Sequence, residues 1–469
     1  MKKKEINIFI FRRDLRFQDN LSLNLLLEKH TELPILPIFI FNPRQIDPNI
    51  NKYFNNNAVE FMIQCLLELE RNDIVYFFEG NDIDILTKLL NVFQIHTIAF
   101  NSDFTPFAKQ RDDIIKNWCK DKKIDIITSD DYTLLPQNSP SPKKTYEVFT
   151  PFYNNFMTKL IKDVPLPKIH TFDPKRFLID KSVFKNLLVK NINQYIVEPK
   201  NQKLAMTGGR SQALLIFNKI KRGEFANYEK WRDFPAANKT TRLSAYLKFG
   251  CVSIREAFQI FRPNKSLTRE LLWREFYANI TFTHPKILQG QITKSHNHAF
   301  REKYDSIPWK LNEGYWKAWV QAKTGFPFVD AGIRQLISTG FCHNRLRMVL
   351  GMFFSKDMMM DWTVFERWMA SYLIDYDPSS NSGGTQWCFS IGTDAAPYYR
   401  VFNPFLQSER FDPKCEYIKK WVPELVSVPN KSIHKWDTDW EFFIKTVNYP
   451  KPMLNHSEQV AKAIVLFKK

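Results

Sequence analysis

The stretch LIDYDPSSNSGGTQWCFS, residues 373–390, sets two carboxylates, Asp375 and Asp377, ahead of small polar residues and a tryptophan, Trp387. Acids beside a Gly-rich segment suit a ligand that the backbone must approach closely, because glycine leaves room where a side chain would not. RELLWREFY offers a second group. On a helix Glu270, Trp273, Arg274 and Tyr277 fall at i, i+3, i+4 and i+7 and share a face. An acid, an indole and a guanidinium on one face can clamp a flat polar ligand. The plainer reading is a core Trp with a Glu–Arg pair at its edge.

Three more stretches carry chemistry. In CHNRLRM, Asn344, Arg347 and Met348 share a helical face, while Arg345 points about a quarter-turn away. Apolar residues follow, so Arg347 is expected to be partly buried and to need an anion, with the acids of DYD as candidates. A structural ion pair explains Arg347 equally well. In RDFPAANKTTRLSAYL, the hydroxyls of Thr240, Thr241 and Ser244 stand at an expected helix start. Free N–H groups there suit a phosphate, or the hydroxyls simply cap the helix. GTDAAPYYRVFNP sets Tyr398, Tyr399, Arg400 and Phe402 together. Aromatics interleaved with arginine either stack bases and grip phosphates or pack in a core. Six cysteines at 65, 119, 251, 342, 388 and 415 form no CxxC pair, so neither a metal site nor a redox dithiol is expected.

The elements that hold these residues change character along the chain. Through residue 130, short apolar runs (INIFIF, PILPIFIF, DIVYFF, HTIAF, IDIITS) alternate with helical patterns such as NAVEFMIQCLLELERN and DIDILTKLLNVF. Continuous apolar strands with helices between them predict an α/β domain with a doubly wound parallel sheet over residues 1–130. No GxGxxG follows the first strand, so a Rossmann dinucleotide grip is not expected there. Residues 131–204, with PQNSPSPKK and DVPLPK, read as an irregular Pro-rich interdomain linker. From 205 to 469 aromatics and helical periodicity dominate, which predicts a large all-helical domain. LTRELLWREFYANITF and FCHNRLRMVLGMFFSKDMMM each read as one helix.

Composition narrows the partners. The 469 residues carry 67 basic and 49 acidic side chains, a net charge of +18, which favours a polyanion, with nucleic acid ahead of a membrane surface. AT-rich coding explains the lysine count as well as function does, but not the arginine clusters. No 18-residue apolar segment suggests a transmembrane helix, and the first apolar run is too short for a signal peptide. A cytoplasmic or nuclear protein with reduced cysteines is expected.

Singly these motifs are weak; their order and spacing are not. FRRDLRFQDN, RDFPAANKTTRLSAYLKFG, LLWREFYANI, KTGFPFVDAGIRQL, GFCHNRLRMVL, DYDPSSNSGG and GTDAAPYYRVFNP together resemble the photolyase/cryptochrome family along nearly the whole chain. The class I cyclobutane pyrimidine dimer photolyases are the nearest in pattern. The resemblance implies FAD in the helical domain, active in its reduced form. Tyr228, Thr240, Thr241, Arg242, Leu243 and Ser244 would hold its phosphates and ribose. Asp375 and Asp377 would edge the isoalloxazine, Arg347 would pair with Asp375, and Asn381 would face N5. Trp273 and Trp387 would wall the pocket for a flipped-out dimer, Glu270 and Asn344 would hydrogen-bond it, and Met348 would lie beneath. Arg232, Arg345 and Arg400 would hold phosphates. Asn344 after His343, where (6-4) photolyases carry a His pair, favours cyclobutane dimers. The partner is then UV-damaged DNA, bound by a monomer without a membrane. An antenna pigment, methenyltetrahydrofolate or deazaflavin, is possible in the first domain, but its binding residues are not readable.

One departure from the family pattern is plain. Trp309 and Trp362 match the outer members of the tryptophan relay that feeds the flavin, but the innermost position is Thr385. A rerouted path would need another aromatic, and Trp368, Tyr399 and Phe389 lie near in sequence. Two alternatives stand beside repair: a cryptochrome-type blue-light photosensor and a light-independent nucleic-acid-binding homologue. The interrupted relay and the short stretch after Trp436 weaken the first. The presence of Glu270, Trp273, Asn344 and Trp387 weakens the second.

Overall fold

All five apolar runs near the start become strands of one parallel sheet: β1 (Glu5–Phe11), β2 (Ile35–Phe41), β3 (Tyr76–Glu79), β4 (Gln94–Asn101) and β5 (Asp125–Ser129). The computed structural model describes residues 3–70, 74–135, 146–163, 174–177, 179–291 and 298–468. The sheet order is β3-β2-β1-β4-β5. β2 is buried along its whole length and β1 at all but its first residue, as a parallel sheet covered on both faces requires. Winding outward from β1 to β3 and then returning to β4 reverses the strand order between β1 and β4. That reversal opens a crevice beyond the carboxyl ends of the strands. The helices expected between strands are present at Asn56–Leu69 and Asp82–Val92.

The chain divides into two compact units. The first comprises Met1–Lys200, Met206–Glu224 and Arg242–Pro285, and the second Asn201–Ala205, Phe225–Thr241 and Lys286–Lys469. Helices at Arg210–Lys221, Ile254–Phe261 and Lys265–Thr283, expected with the helical domain, thus cluster with the sheet. A buried ion network supplies the reason. The Arg16 guanidinium meets Asp131 at 2.6 Å, and Arg255 meets Asp19 at 2.9 Å and Asp131 at 2.6 Å. Buried charges are tolerated only when paired, so Arg255 holds its helix against the loops that follow β1 and β5.

The stretch 131–204 is less irregular than expected. Phe149–Asp163 forms a helix, with Phe149, Phe152 and Phe156 buried along one side. Pro151 sits in its first turn, where a missing N–H costs nothing. The Pro-rich runs at 136–145 and 164–173 lie outside the described residues.

In the second unit the expected single helix over 341–360 is split. The α-helix runs Asn344–Met352 and passes into a π-helical turn at Phe353–Asp357. Both Phe353 and Phe354 are fully buried, in a core with Trp319 and Trp436. Seating those rings takes the extra residue of a π turn, a tertiary demand that no helical period records. The unit continues through the helices Trp362–Tyr372 and Pro378–Cys388. No helix among the described residues is long and apolar enough to cross a membrane.

Candidate functional site

Two helices of the second unit present most of the expected residues. Asn344 opens the helix Asn344–Met352, where His343 caps it by accepting from the Arg345 N–H at 3.1 Å. Asn344 and Met348 come together one turn apart, Nδ2 to Sδ at 3.9 Å, on the exposed side. Arg347, on the same face of the helix, reaches Asp375. Its Nη2 meets both oxygens of Asp375 at 3.0 and 2.9 Å, and its Nε donates to the Cys342 carbonyl at 2.9 Å. Burial works against the Arg347 charge, but the Asp375 carboxylate outweighs it and holds the guanidinium above its ordinary pKa. The guanidinium stays charged.

Asp377 takes a different post from Asp375. It caps the helix Pro378–Cys388, accepting from the Ser380 N–H at 2.9 Å. One turn in, Asn381 donates through Nδ2 to the Glu366 carbonyl at 3.0 Å and to its carboxylate at 2.9 Å. With its amine committed, Asn381 presents Oδ1 as an acceptor, which suits an N–H donor such as N5 of a reduced flavin. A Cβ at Gly384 would meet nothing within 4 Å, so the next turn borders open space. Trp387 is half-buried, and Thr385 is only 4% exposed.

The phosphate candidates differ in their engagement. Arg345 is tied to Asp233 at 2.8 Å and lies 4.0 Å over the Phe411 ring. Arg400 is exposed, beside Tyr399 at 66% exposure, while Arg232 and Tyr228 are intermediate. In the loop before the short helix Ser244–Lys248, Asn238 and Arg242 both adopt left-handed backbone, φ 51° and 53°. The position before Ser244 is Leu243, which provides no side-chain cap.

In the first unit, Trp273 lies flat on Phe149, centroids 3.7 Å apart and planes 6° off parallel. That stack fixes the indole and covers one of its faces. Arg274 does not join Trp273 as a ligand clamp. It donates to the Tyr132 carbonyl at 2.8 Å and lies 3.6 Å over that ring, so the plainer reading of this arginine holds. Beside it, burial pushes the Glu275 carboxyl up to about 8, with Arg274 pulling the other way.

Sequence reasoning missed the supporting residues. Phe149 lay in the segment taken as linker, although its spacing to Phe152 and Phe156 was a helical signal. Glu366, Asp233 and Phe411 gave no signal, because each acts on a residue distant in sequence. In the relay, Trp309 is half-buried and edge-on to Phe389 at 5.9 Å. Trp362 is buried at 3% and makes no ring-to-ring contact among the described residues. No cluster of metal-ligating side chains occurs among the described residues.

Comparison with known proteins decides the family. Residues 7–169 match the family described as DNA photolyase, and residues 266–469 the FAD binding domain of DNA photolyase. A deoxyribodipyrimidine photo-lyase of Alkalihalophilus pseudofirmus is 33% identical, over 98% of this chain and 97% of that protein. The chain belongs to the DNA photolyase family. A photo-lyase of the same description from Escherichia coli is 31% identical over 97% of each chain. The crystal structure of an archaeal photolyase from Sulfolobus tokodaii with two FAD molecules superposes with a TM-score of 0.84 at 34% identity, covering 99% of each chain. This photolyase is thus an FAD-dependent lyase of light-driven DNA repair. Within the second unit, the Thr240 and Thr241 hydroxyls, the Arg347–Asp375 pair and the acceptor of Asn381 are each of a chemistry that suits a group of FAD.

Proposed function

We propose that the substrate of this photolyase is the cyclobutane pyrimidine dimer and that the residues above divide the work as follows. The observation that carries the reading is one face of the helix Asn344–Met352, on which Asn344 and Met348 meet and from which Arg347 reaches Asp375. One rigid element thereby serves both base and cofactor. Bound FAD, reduced and excited by blue light, supplies one electron that opens the dimer ring and afterwards returns. Tyr228, Thr240, Thr241, Arg242, Leu243 and Ser244 bind its phosphates and ribose. Asp375 and Asp377 line the ring edge, and Asn381, anchored by Glu366, orients N5.

Asn344 hydrogen-bonds the dimer, Met348 lies under it and Trp387 stacks on it; Glu270 and the Phe149-backed Trp273 serve the same ligand. Arg232, Arg345 and Arg400 hold phosphates. Extrusion of the dimer costs a few kcal/mol, less for a damaged pair that stacks poorly, and each base–aromatic stack returns about 1–3 kcal/mol. An antenna pigment, methenyltetrahydrofolate or deazaflavin, would belong to the first unit.

The test is to illuminate chemically reduced enzyme with oligonucleotides carrying either a cyclobutane dimer or a (6-4) product. Loss of the cyclobutane dimer alone is expected. Repair of the (6-4) product instead would overturn the substrate reading.

A further inference from the structure

We propose that Trp368 and Trp319 form the buried electron donor that recharges this enzyme's flavin in light, with Trp316 as the outlet toward solvent. The proposal rests on the reading that FAD lies against Asn381 and the Arg347–Asp375 pair. Thr385 has no ring to oxidise, and the buried Trp362 touches no other aromatic ring among the described residues. The Trp368 ring lies edge-on to Trp319 at 5.1 Å and tilted to Tyr372 at 5.5 Å. Trp368 stands two residues past Glu366, whose carbonyl and carboxylate hold Asn381. From Trp319 the chain of rings continues through Phe354 at 5.0 Å to Trp316, 6.4 Å beyond. Trp316 and Trp319 share a face of the helix Glu313–Val320, one turn apart. Trp319 is fully buried, Trp368 is 7% exposed and Trp316 is half-buried, so the rings run from core toward surface.

The electron count closes. One electron leaves the Trp368 indole for the light-excited oxidised flavin. Trp319 refills Trp368, and Trp316 refills Trp319. Trp316 sheds its N–H proton to water as it is oxidised, a thiol in solution then returns one electron and one proton to it, and the thiyl radicals of two such turns end as one disulfide.

The proton on the indole decides how the hole behaves. An oxidised indole is a strong acid and loses its N–H proton wherever an acceptor waits. Nε1 of Trp368 and Nε1 of Trp319 are both buried, with no hydrogen-bond partner among the described residues. The hole therefore stays as a protonated cation radical on these two rings, and neutral indole radical forms only once it reaches Trp316.

The experiment uses FAD-loaded enzyme with oxidised flavin, a dithiol donor and blue light, followed by flavin absorbance and by transient spectra of the indole radicals. Trp368→Phe and Trp319→Phe are each expected to slow photoreduction by about tenfold or more, equal to about 1.4 kcal/mol of barrier. The earliest radical should carry the protonated spectrum, and Trp316→Phe should remove the neutral one. Should Trp319→Phe not fold, Trp368→Phe and Trp316→Phe carry the test. Photoreduction unchanged in Trp368→Phe, or absent from the unmodified enzyme, overturns the relay. A flavin spectrum unchanged by Asn381→Ala overturns the cofactor placement, and the proposal with it, so the two failures look different.

Discussion

Breaking the Arg347–Asp375 pair from either side should cost unequal amounts, because the partners are buried to unequal depths. The Asp375 side chain is 4% exposed and that of Arg347 is 29% exposed. Arg347→Met strips the carboxylate of the donor that meets both its oxygens and leaves a charge with almost no water. Removing one partner of a buried pair costs about 3–5 kcal/mol, and Asp375 lies at the buried end of that range. Asp375→Asn instead leaves a cation with water on part of its side chain and a second acceptor, the Cys342 carbonyl at 2.9 Å. The loss is then that of one charge-assisted hydrogen bond, about 1.5–3 kcal/mol. The double variant isolates no charge, so it should be less destabilised than the sum by about 0.5–3 kcal/mol. Urea unfolding of the four proteins at one fixed excess of FAD reads these differences, provided the denaturant slopes agree. A larger cost for Asp375→Asn than for Arg347→Met, or strict additivity, would refute the argument.

Binding to dimer-containing DNA should weaken with salt at a log–log slope near −3, for about three phosphate contacts through Arg232, Arg345 and Arg400. Arg400→Ala should reduce that slope by about one unit on damaged and undamaged DNA alike, and Arg345→Ala by less, since Asp233 already engages it; no change for Arg400→Ala removes it from the phosphate set. Trp387→Ala should weaken dimer binding by about 1–3 kcal/mol and spare undamaged duplex, and equal losses on both in a filter-binding titration would count against stacking. Burial pushes the Lys356 amine down to about 7, so the unfolded chain binds its proton better up to its ordinary 10.5, and stability rises with pH across that window. Lys356→Met should therefore stabilise the fold, by up to about 2.7 kcal/mol more at about pH 7 than at about pH 9; equal gains in urea midpoints at both would mean that water reaches the amine.

The legible part of this fold is the part governed by local period. Each strand of the sheet is a continuous apolar run, and burial on both faces of a parallel sheet writes that run directly. The helix Lys265–Thr283 was legible for the same reason, and with it the shared side of Glu270 and Trp273. The ion pair of Arg347 and Asp375 could be foreseen because a cation amid apolar neighbours needs an anion, and DYD was the nearest unexplained pair of acids. What local period does not record is a demand from a distant residue. The π turn at Phe353–Asp357 exists to seat two rings in a core assembled from several helices. Arg274 looked like ligand chemistry until Tyr132, 142 residues away, claimed it.

The same distinction separates the two halves of the electron problem. Thr385 announces the missing ring in sequence, since one residue type excludes one chemistry. Whatever replaces it is a set of distances, and Trp368 and Trp319 stand 49 positions apart in a chain with 12 tryptophans. Only the fold shows that these two meet edge-on at 5.1 Å and that neither indole N–H finds an acceptor among the described residues. An unpartnered indole N–H in a core costs stability, because a buried donor has given up water and received nothing. The two lie on rings in contact, in the unit that carries Asn381 and the Arg347–Asp375 pair. A hole that must stay mobile gains from that arrangement, since a nearby base would trap the charge by taking the proton. Trp319→Phe therefore separates the two accounts: it removes one orphaned donor and opens a cavity where the larger ring packed, so whatever the change in stability it should slow photoreduction. Lower stability with unchanged photoreduction would make the pair a packing feature and nothing more.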